Sequence, residues 1–280
     1  MTQTIIIDIG SLAQSGADKE PPVFFISDLH LDPAQSETIA LCLRFFSYAQ
    51  NAKALFIIGD LFEYWLGDDG ADPRLQSVFD AITALTNSGT TVYLMHGNRD
   101  FLLGEQFAAS VGATLMRADH VLLTAGTHRF SLMHGDTLCT DDVGYQGLRS
   151  MVRNKQWQKD FLALSIEKRI AQAQALRDKS KAAVSEKSAG IMDVNDDAVL
   201  KHFQSHASDC LIHGHTHRPY DHAASLGKSV DQHVSQHASE HTNKLVNKQE
   251  SRRLVLGDWK ADHAMIARFE NELLTLEKFE

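Results

Sequence analysis

Five short stretches bearing acidic, imidazole and amide side chains stand at the ends of apolar runs, and this constrains the 280-residue chain more than any other feature. They read Asp28-Leu29-His30, Gly59-Asp60, Gly97-Asn98-Arg99-Asp100, His134-Gly135-Asp136 and Gly214-His215-Thr216-His217. The runs before them, among them 23–27, 54–58 and 91–95, are β-branched, aliphatic or aromatic, the pattern of strands buried on both faces. Each polar group is therefore delivered where a strand ends and a loop begins. Helical spacing over 35–51 (Ile39, Leu43, Phe46) and around 73–88 separates the early strands. Three late runs, 254–256, 264–269 and 273–276, read as closing antiparallel strands. A βαβα order followed by β-β-β predicts two packed sheets with helices outside.

An apolar fraction of 43% supports a proper core, and the length suits one large α/β domain with room for an inserted subdomain. The net charge of −9 disfavours a general nucleic-acid binder, because contact with phosphate backbones is driven by Lys and Arg. Cys42, Cys139 and Cys210 form no CxxC pair, which points to a reducing compartment. No apolar run approaches the roughly 18 residues that span a bilayer. The first residues lack a basic stretch followed by an apolar one, so any membrane contact is expected to be peripheral. Residues 1–21 read as an extension ahead of a domain covering 22–280. Within that domain, 145–205 reads as a helical insertion. Between Tyr145 and Ser188 it carries ten Lys or Arg against four Asp or Glu, a net of +6 that suits an anionic substrate, an anionic membrane surface or both. Residues 222–250 are Ser/His/Gln/Lys-rich and read as an exposed loop insertion.

Carboxylate, imidazole and amide oxygen together are the donor set of Mn2+, Fe2+, Zn2+ and similar ions. An Asp in a tight Gly-Asp turn is a natural bridge between two of them. Such a pair, about 3.5–4 Å apart, clamps a phosphoryl oxygen and acidifies a water for attack. This reading assigns Asp28, His30, Asp60 and His217 to one ion, and Asp60, Asn98, His134 and His215 to the other. His215 and His217 need a turning loop to face inward together, and Gly214 is expected to supply the flexibility. His96, His120 and His213 are expected to be structural. His233, His237 and His241, spaced by four, would share a helix face but stand in a polar loop without further ligands.

The five stretches resemble the D-x-H, G-D, G-N-H/E-D, H and G-H-x-H pattern of the calcineurin-like metallophosphoesterase superfamily, over about residues 22–280. The resemblance implies an α/β fold, a four-layer α/β-β/α sandwich with the helical insertion as a cap, and a binuclear site at the strand ends. Arg99 stands where many members carry a His. Together with the stretches 134–142 (and Tyr145), 191–195, 212–219 and 255–259, it gives the chain a close resemblance to the UDP-2,3-diacylglucosamine pyrophosphatase family of lipid A biosynthesis. That family splits UDP-2,3-diacylglucosamine into UMP and 2,3-diacylglucosamine 1-phosphate (lipid X), generally with Mn2+, at the cytoplasmic leaflet of the inner membrane. The resemblance implies catalytic roles for Asp60, Asn98, Arg99 and His134. It also implies substrate contacts from Asn98, Arg99, Asp142, Tyr145, Ser180, Lys187 and His215, with neither a nucleic-acid nor a protein partner expected. A phosphate leaving group departs without being protonated, so an acid at position 99 is dispensable, and a guanidinium there can neutralise growing negative charge. The rival readings are another superfamily hydrolase acting on soluble esters, and a non-catalytic binding module on the same fold. The extension and the 222–250 loop exceed what the family usually has.

Overall fold

Alternate side chains of short, wholly apolar strands must find cover on both faces, and the two sheets of this protein provide it for one another. The computed structural model describes residues 5–10, 20–185, 193–222 and 251–280, with the side chains of 179–185 excepted. In chain order the first half runs β1 (Ile5–Asp8), β2 (Val23–Ile26), α1 (Ser36–Tyr48), β3 (Ala54–Ile58), α2 (Gln76–Asn87), β4 (Thr91–Met95), α3 (Glu105–Ser110), β5 (Thr114–Met116), β6 (Val121–Ala125) and β7 (His128–Leu132). The second half runs α4 (Val143–Val152), α5 (Lys155–Leu162), α6 (Ile166–Ser185), α7 (Asp196–Ser205), β8 (Cys210–His213), β9 (Tyr220–Asp221), β10 (Arg252–Val255), β11 (Ala264–Glu270) and β12 (Leu273–Phe279).

One sheet has the order β12-β11-β2-β3-β4-β5 and the other β1-β6-β7-β8-β10-β9. Strands β2 to β5 are parallel, and β11 and β12 close that sheet as an antiparallel hairpin. Asn271 (φ 51°) and Glu272 (φ 63°) form the hairpin's two-residue turn, whose left-handed backbone matches the twist of paired strands. Phe25, Phe56 and Ile58 from one sheet meet Val121, Leu123, Phe130, Leu132 and Ile212 from the other in a single buried core. The alternate residues of the first sheet, Phe24, Ile26, Leu55 and Ile57, pack outward on Leu41 and Phe45 of α1 and Val78 and Ile82 of α2. Val199 of α7 covers Met133 and Leu211 on the far side. The layers are therefore helix, sheet, sheet, helix, as the resemblance implied.

Three details differ from the sequence reading. Strand β10 does not close a sheet in antiparallel fashion with its successors; it runs parallel to β8 and antiparallel to β9, in the other sheet from β11 and β12. Within the stretch read as an extension, Ile5–Asp8 forms an edge strand parallel to β6. Within the stretch read as a cap, α7 belongs to the outer helix layer, while α4 to α6 form the lobe beside the strand ends. That lobe starts helices at side-chain caps: Asp142 accepts from Tyr145 N, and Asn154 accepts from Gln156 N and Trp157 N. Arg169 of α6 pins it to the loop after β3, donating to Leu66 O at 2.8 Å and to both carboxylate oxygens of Asp69 at 2.6 and 2.8 Å.

Phe56 lies between Phe25 (ring centroids 5.4 Å apart) and Tyr93 (4.6 Å), both stacked, in the inter-sheet core. Truncation there leaves a cavity that rigid sheets cannot close. Phe56→Ala is therefore expected to lower unfolding free energy by about 3–5 kcal/mol, whereas Leu273→Ala, at a side chain 63% exposed, stays within about 0.5 kcal/mol. Urea denaturation with an unchanged m-value is the check, and equal losses would contradict the packing argument.

Candidate metal centre and cavity

Every one of the five sequence stretches arrives at the same end of the sandwich. Asp28 and His30 follow β2, Asp60 follows β3, Asn98 and Arg99 follow β4, His134 follows β7, and His215 and His217 follow β8. Asp28 (φ 58°), His30 (φ 48°), Asp60 (φ 53°), His215 (φ 69°) and His217 (φ 54°) all take left-handed backbone conformations. Such conformations are unfavourable for residues with a Cβ and concentrate where function demands them. The turn at 214–217 thus differs from the expectation: the histidines themselves make it. Gly214 serves close approach instead, since a Cβ there would lie 2.2 Å from Asp28 Oδ2. Gly97 has the same role, a Cβ there falling 2.0 Å from Asp60 Oδ1.

The convergence is tight. One ligand atom from each of Asp28, His30 and His217 lies within 4.8 Å of the others, and the same holds for Asp28, Asp60 and His134. Asp60 Oδ2 is 3.7 Å from His30 Nε2 and 3.6 Å from His134 Nε2, a position between the two groups. Asn98 Oδ1 lies 2.9 Å from His134 Nε2 and 2.8 Å from His215 Nδ1. His134 Nδ1 is 3.1 Å from Ile58 O, which fixes the ring with Nε2 toward Asn98 and Asp60. Imidazole nitrogens and amide and carboxylate oxygens brought this close together are a donor set that a shared cation suits. His30 Nε2 and His217 Nε2 likewise face each other at 3.1 Å. The seven residues therefore fit a pair of divalent ions, with Asp60 able to bridge.

Electrostatics agree with a cation site. Burial would raise the Asp28 carboxyl, but its bond with His217 and the charges of His134, His217 and His30 hold it well below the usual carboxylate range. Burial lowers His30, yet Glu63, Asp60 and Asp28 outweigh it and lift the imidazole to about 9. Burial, aided by the charge of His134, brings His215 down to about 4.

A model of the family described as calcineurin-like phosphoesterase matches residues 21–219. This chain belongs to that family. Relatives bearing the name UDP-2,3-diacylglucosamine hydrolase include one from Chromohalobacter salexigens, 40% identical over 248 residues, covering 88% of this chain and 92% of its own. Another, from Shigella dysenteriae serotype 1, is 43% identical over 243 residues, covering 86% and 92%. As a calcineurin-like phosphoesterase the chain is a metal-dependent hydrolase, and its strand-end donors are the residues that could hold the metals.

A cavity of about 470 Å³ opens beside these donors, lined by His30, Asp60, Asn98 and His215 and also by Trp157, Phe161 and Leu176 of the α4–α6 lobe. Arg99, Asp142 and Tyr145 line it too. Arg99 donates its backbone N–H to Asp60 Oδ1 at 2.8 Å, and its guanidinium pairs with the carboxylate of Glu63, 3.4 Å from Oε1. Tyr145 donates its hydroxyl to Asp136 Oδ2 at 2.6 Å. The side chain of Ser180 is outside the description, as are Lys187, Ile191 and the histidines at 233, 237 and 241. Of the histidines expected to be structural, His213 contacts Gly214 O and Arg253, and His96 contacts Leu103 O. Sequence reasoning missed Glu63, whose carboxylate lies 3.3 Å from His30 Nδ1, and Asp258, 3.8 Å from His217 Nδ1. Glu63 stands three residues beyond Gly59-Asp60, a spacing with no helical or strand signature. Asp258 lies in the 255–259 stretch, which was read only as a mark of resemblance.

Two outcomes follow from this geometry. Gly97→Ala is expected to push Asp60 aside and cut hydrolysis by about 100-fold, the cost of an ångström-scale misplacement, with the circular dichroism unchanged; near-normal activity would refute the close-approach argument. Because His30 holds a proton below about 9 and a divalent ion needs neutral imidazole, ion binding near neutral pH is expected to release a proton. Calorimetric heats that do not vary with buffer ionisation enthalpy would contradict this.

Proposed function

We propose that this chain hydrolyses the diphosphate of UDP-2,3-diacylglucosamine to UMP and 2,3-diacylglucosamine 1-phosphate, using two divalent ions, Mn2+ above all. The observation that carries this reading is the dual lining of one cavity: phosphoesterase donors together with aromatic and aliphatic side chains of α5 and α6. A soluble phosphate ester has no use for the second set; a diphosphate carrying acyl chains uses both. The names of relatives at 40% and 43% identity support the same substrate.

Asp28, His30, Asp60 and His217 would hold one ion and Asp60, Asn98, His134 and His215 the other. When bound, such a pair neutralises phosphoryl oxygens and makes a water acidic enough to attack phosphorus near neutral pH. The chain's own groups do the rest. Arg99, fixed by its backbone bond to Asp60 and facing Glu63, offers its guanidinium to charge that grows on the departing phosphate. Arg153 donates to Gly97 O at 2.9 Å and lies over the Phe101 ring, which places a further positive charge at the cavity wall. Trp157, stacked on Phe161 with centroids 5.1 Å apart, presents an apolar surface for an acyl chain. Asp142 and Tyr145 would meet the glucosamine, with Tyr145 held in place by Asp136. Ser180 and Lys187 of the cap are proposed as phosphate and acyl-groove contacts on the strength of the family resemblance.

Among the described residues no helix is long and apolar enough to cross a membrane. Access to a diacylated substrate is proposed to come through peripheral contact with the cytoplasmic leaflet of the inner membrane, by the basic lobe of α4 to α6.

UMP release from UDP-2,3-diacylglucosamine by the purified protein with Mn2+ is expected, with none in EDTA and little from a UDP-sugar lacking acyl chains. Trp157→Ala is expected to raise KM for the acylated substrate by about 10-fold, the worth of roughly 1.4 kcal/mol of lost apolar contact. Equal rates on acylated and unacylated substrates would return the chain to a broader hydrolase of the family.

A further inference from the structure

Away from the strand-end donors, three histidines from distant parts of the sequence gather against the outer face of the β6–β7–β8 sheet. His120 immediately precedes β6; His202 lies on α7 and His206 just past its end, four residues on and hence on the same helix face. Ring centroids are 4.9 Å apart for His120 and His202, 4.1 Å for His120 and His206, and 4.4 Å for His202 and His206. One ring nitrogen from each lies within 4.8 Å of the other two.

Hydrogen bonds fix two of the rings. His120 Nε2 is 3.0 Å from Ser131 Oγ, which in turn donates to Ser208 Oγ at 3.0 Å, and His206 Nδ1 is 3.0 Å from His202 O. The remaining nitrogens, His120 Nδ1 and His206 Nε2, are left for other use. His202 is only 8% exposed, and its buried Nε2 has no hydrogen-bond partner. A buried polar atom without a partner costs about 1–3 kcal/mol, a penalty that a coordinated ion removes.

We propose that His120, His202 and His206 form a second metal site, separate from the strand-end centre, for a single late first-row divalent ion of the Zn2+ kind. Three imidazoles without carboxylate or thiolate suit such an ion and leave a fourth position for water. Oxygen-preferring Mg2+ and Mn2+ are poorly served by the same set. His120 and His206 are only half-buried, which gives an ion a way in. Bound there, the ion would tie the start of β6 to the end of α7. Next to His120, Asp119 pairs at 2.6 Å with the cavity-lining Arg149, so the restraint would reach the cavity wall.

The test uses the full chain, first loaded with Mn2+ and then dialysed against buffered Zn2+, with bound zinc counted per chain and melting temperature recorded. The variants are His120→Gln and His206→Gln, chosen over His202 because their rings are not part of the buried packing. A His237→Gln variant controls for the histidine-rich 222–250 segment. The wild type and the His237 variant are expected to hold about one zinc more per chain than the other two variants and to gain thermal stability with it. Loss of a ligand is expected to weaken that site by more than the roughly 10–100-fold that loss of an outer hydrogen-bond partner costs. Mn2+-dependent hydrolysis is expected to persist in His120→Gln and His206→Gln, which shows that they fold. Equal zinc content and equal thermal shifts in all four proteins would overturn the proposal, as would loss of the extra zinc in the His237 variant alone.

Discussion

The Asp100 carboxylate, fully buried, accepts from Gly97 N and Leu61 N at 2.8 Å and from Asp60 N at 3.3 Å, and so ties the loop after β4 to the loop after β3. Hydrogen bonds to a charged group contribute about 1.5–3 kcal/mol each, enough to hold two loops that have no strand pairing beyond this point. The bond is returned in kind, since Asp60 Oδ1 accepts from Arg99 N. Burial and the neighbouring Asp60 push Asp100 upward in pKa, and the Gly97 N–H and the charges of His96 and His134 oppose that. Asp100 helps to fix the backbone from which Asp60 reaches between His30 and His134, together with the His30 N–H that donates to Asp60 O at 3.0 Å, and the close approach of Gly97 completes the clamp.

The sandwich and the helical lobe divide the work. The sheets, packed through Phe25, Phe56 and Phe130, give a rigid platform on which donors from five loops meet to within a few ångströms. The lobe of α4 to α6 contributes no strand-end donor; it supplies apolar and cationic cavity wall and is joined to the platform by Arg169 and Asp69. The donors that the family pattern marks thus stand on the platform, while the lobe supplies the apolar side of the cavity on which the proposed preference for an acylated substrate rests.

Much of this was legible in the sequence. Strand ends could be read because apolar runs of five stop abruptly at Gly, Asp or His, and helix α1 because Ile39, Leu43 and Phe46 repeat at helical spacing, although the buried face is made by Leu41, Cys42, Phe45 and Phe46. Strand direction was not legible: the alternation in 252–255 is the same whether β10 runs with β8 or against it, and tertiary packing decides. Nor does composition announce a left-handed backbone at Asp28 or His217, since both residue types adopt many conformations. His202 and His206 could be paired by their spacing, but His120, which joins them from more than 80 positions earlier, could not. Glu63 was hidden for a similar reason, because its partners His30, Arg99 and Arg177 come from three separate segments.

The left-handed conformations of Asp28, His30, Asp60, His215 and His217 make the donor loops the least economical part of the backbone. Each disfavours the folded state by about 1 kcal/mol or more relative to a glycine at the same position. Stability and turnover therefore pull in opposite directions at these five positions. A laboratory search for heat tolerance alone would drift towards Gly or Asn there and yield a sturdier, inert sandwich. Relatives that keep the architecture while abandoning the chemistry would be expected to relax first at these same residues.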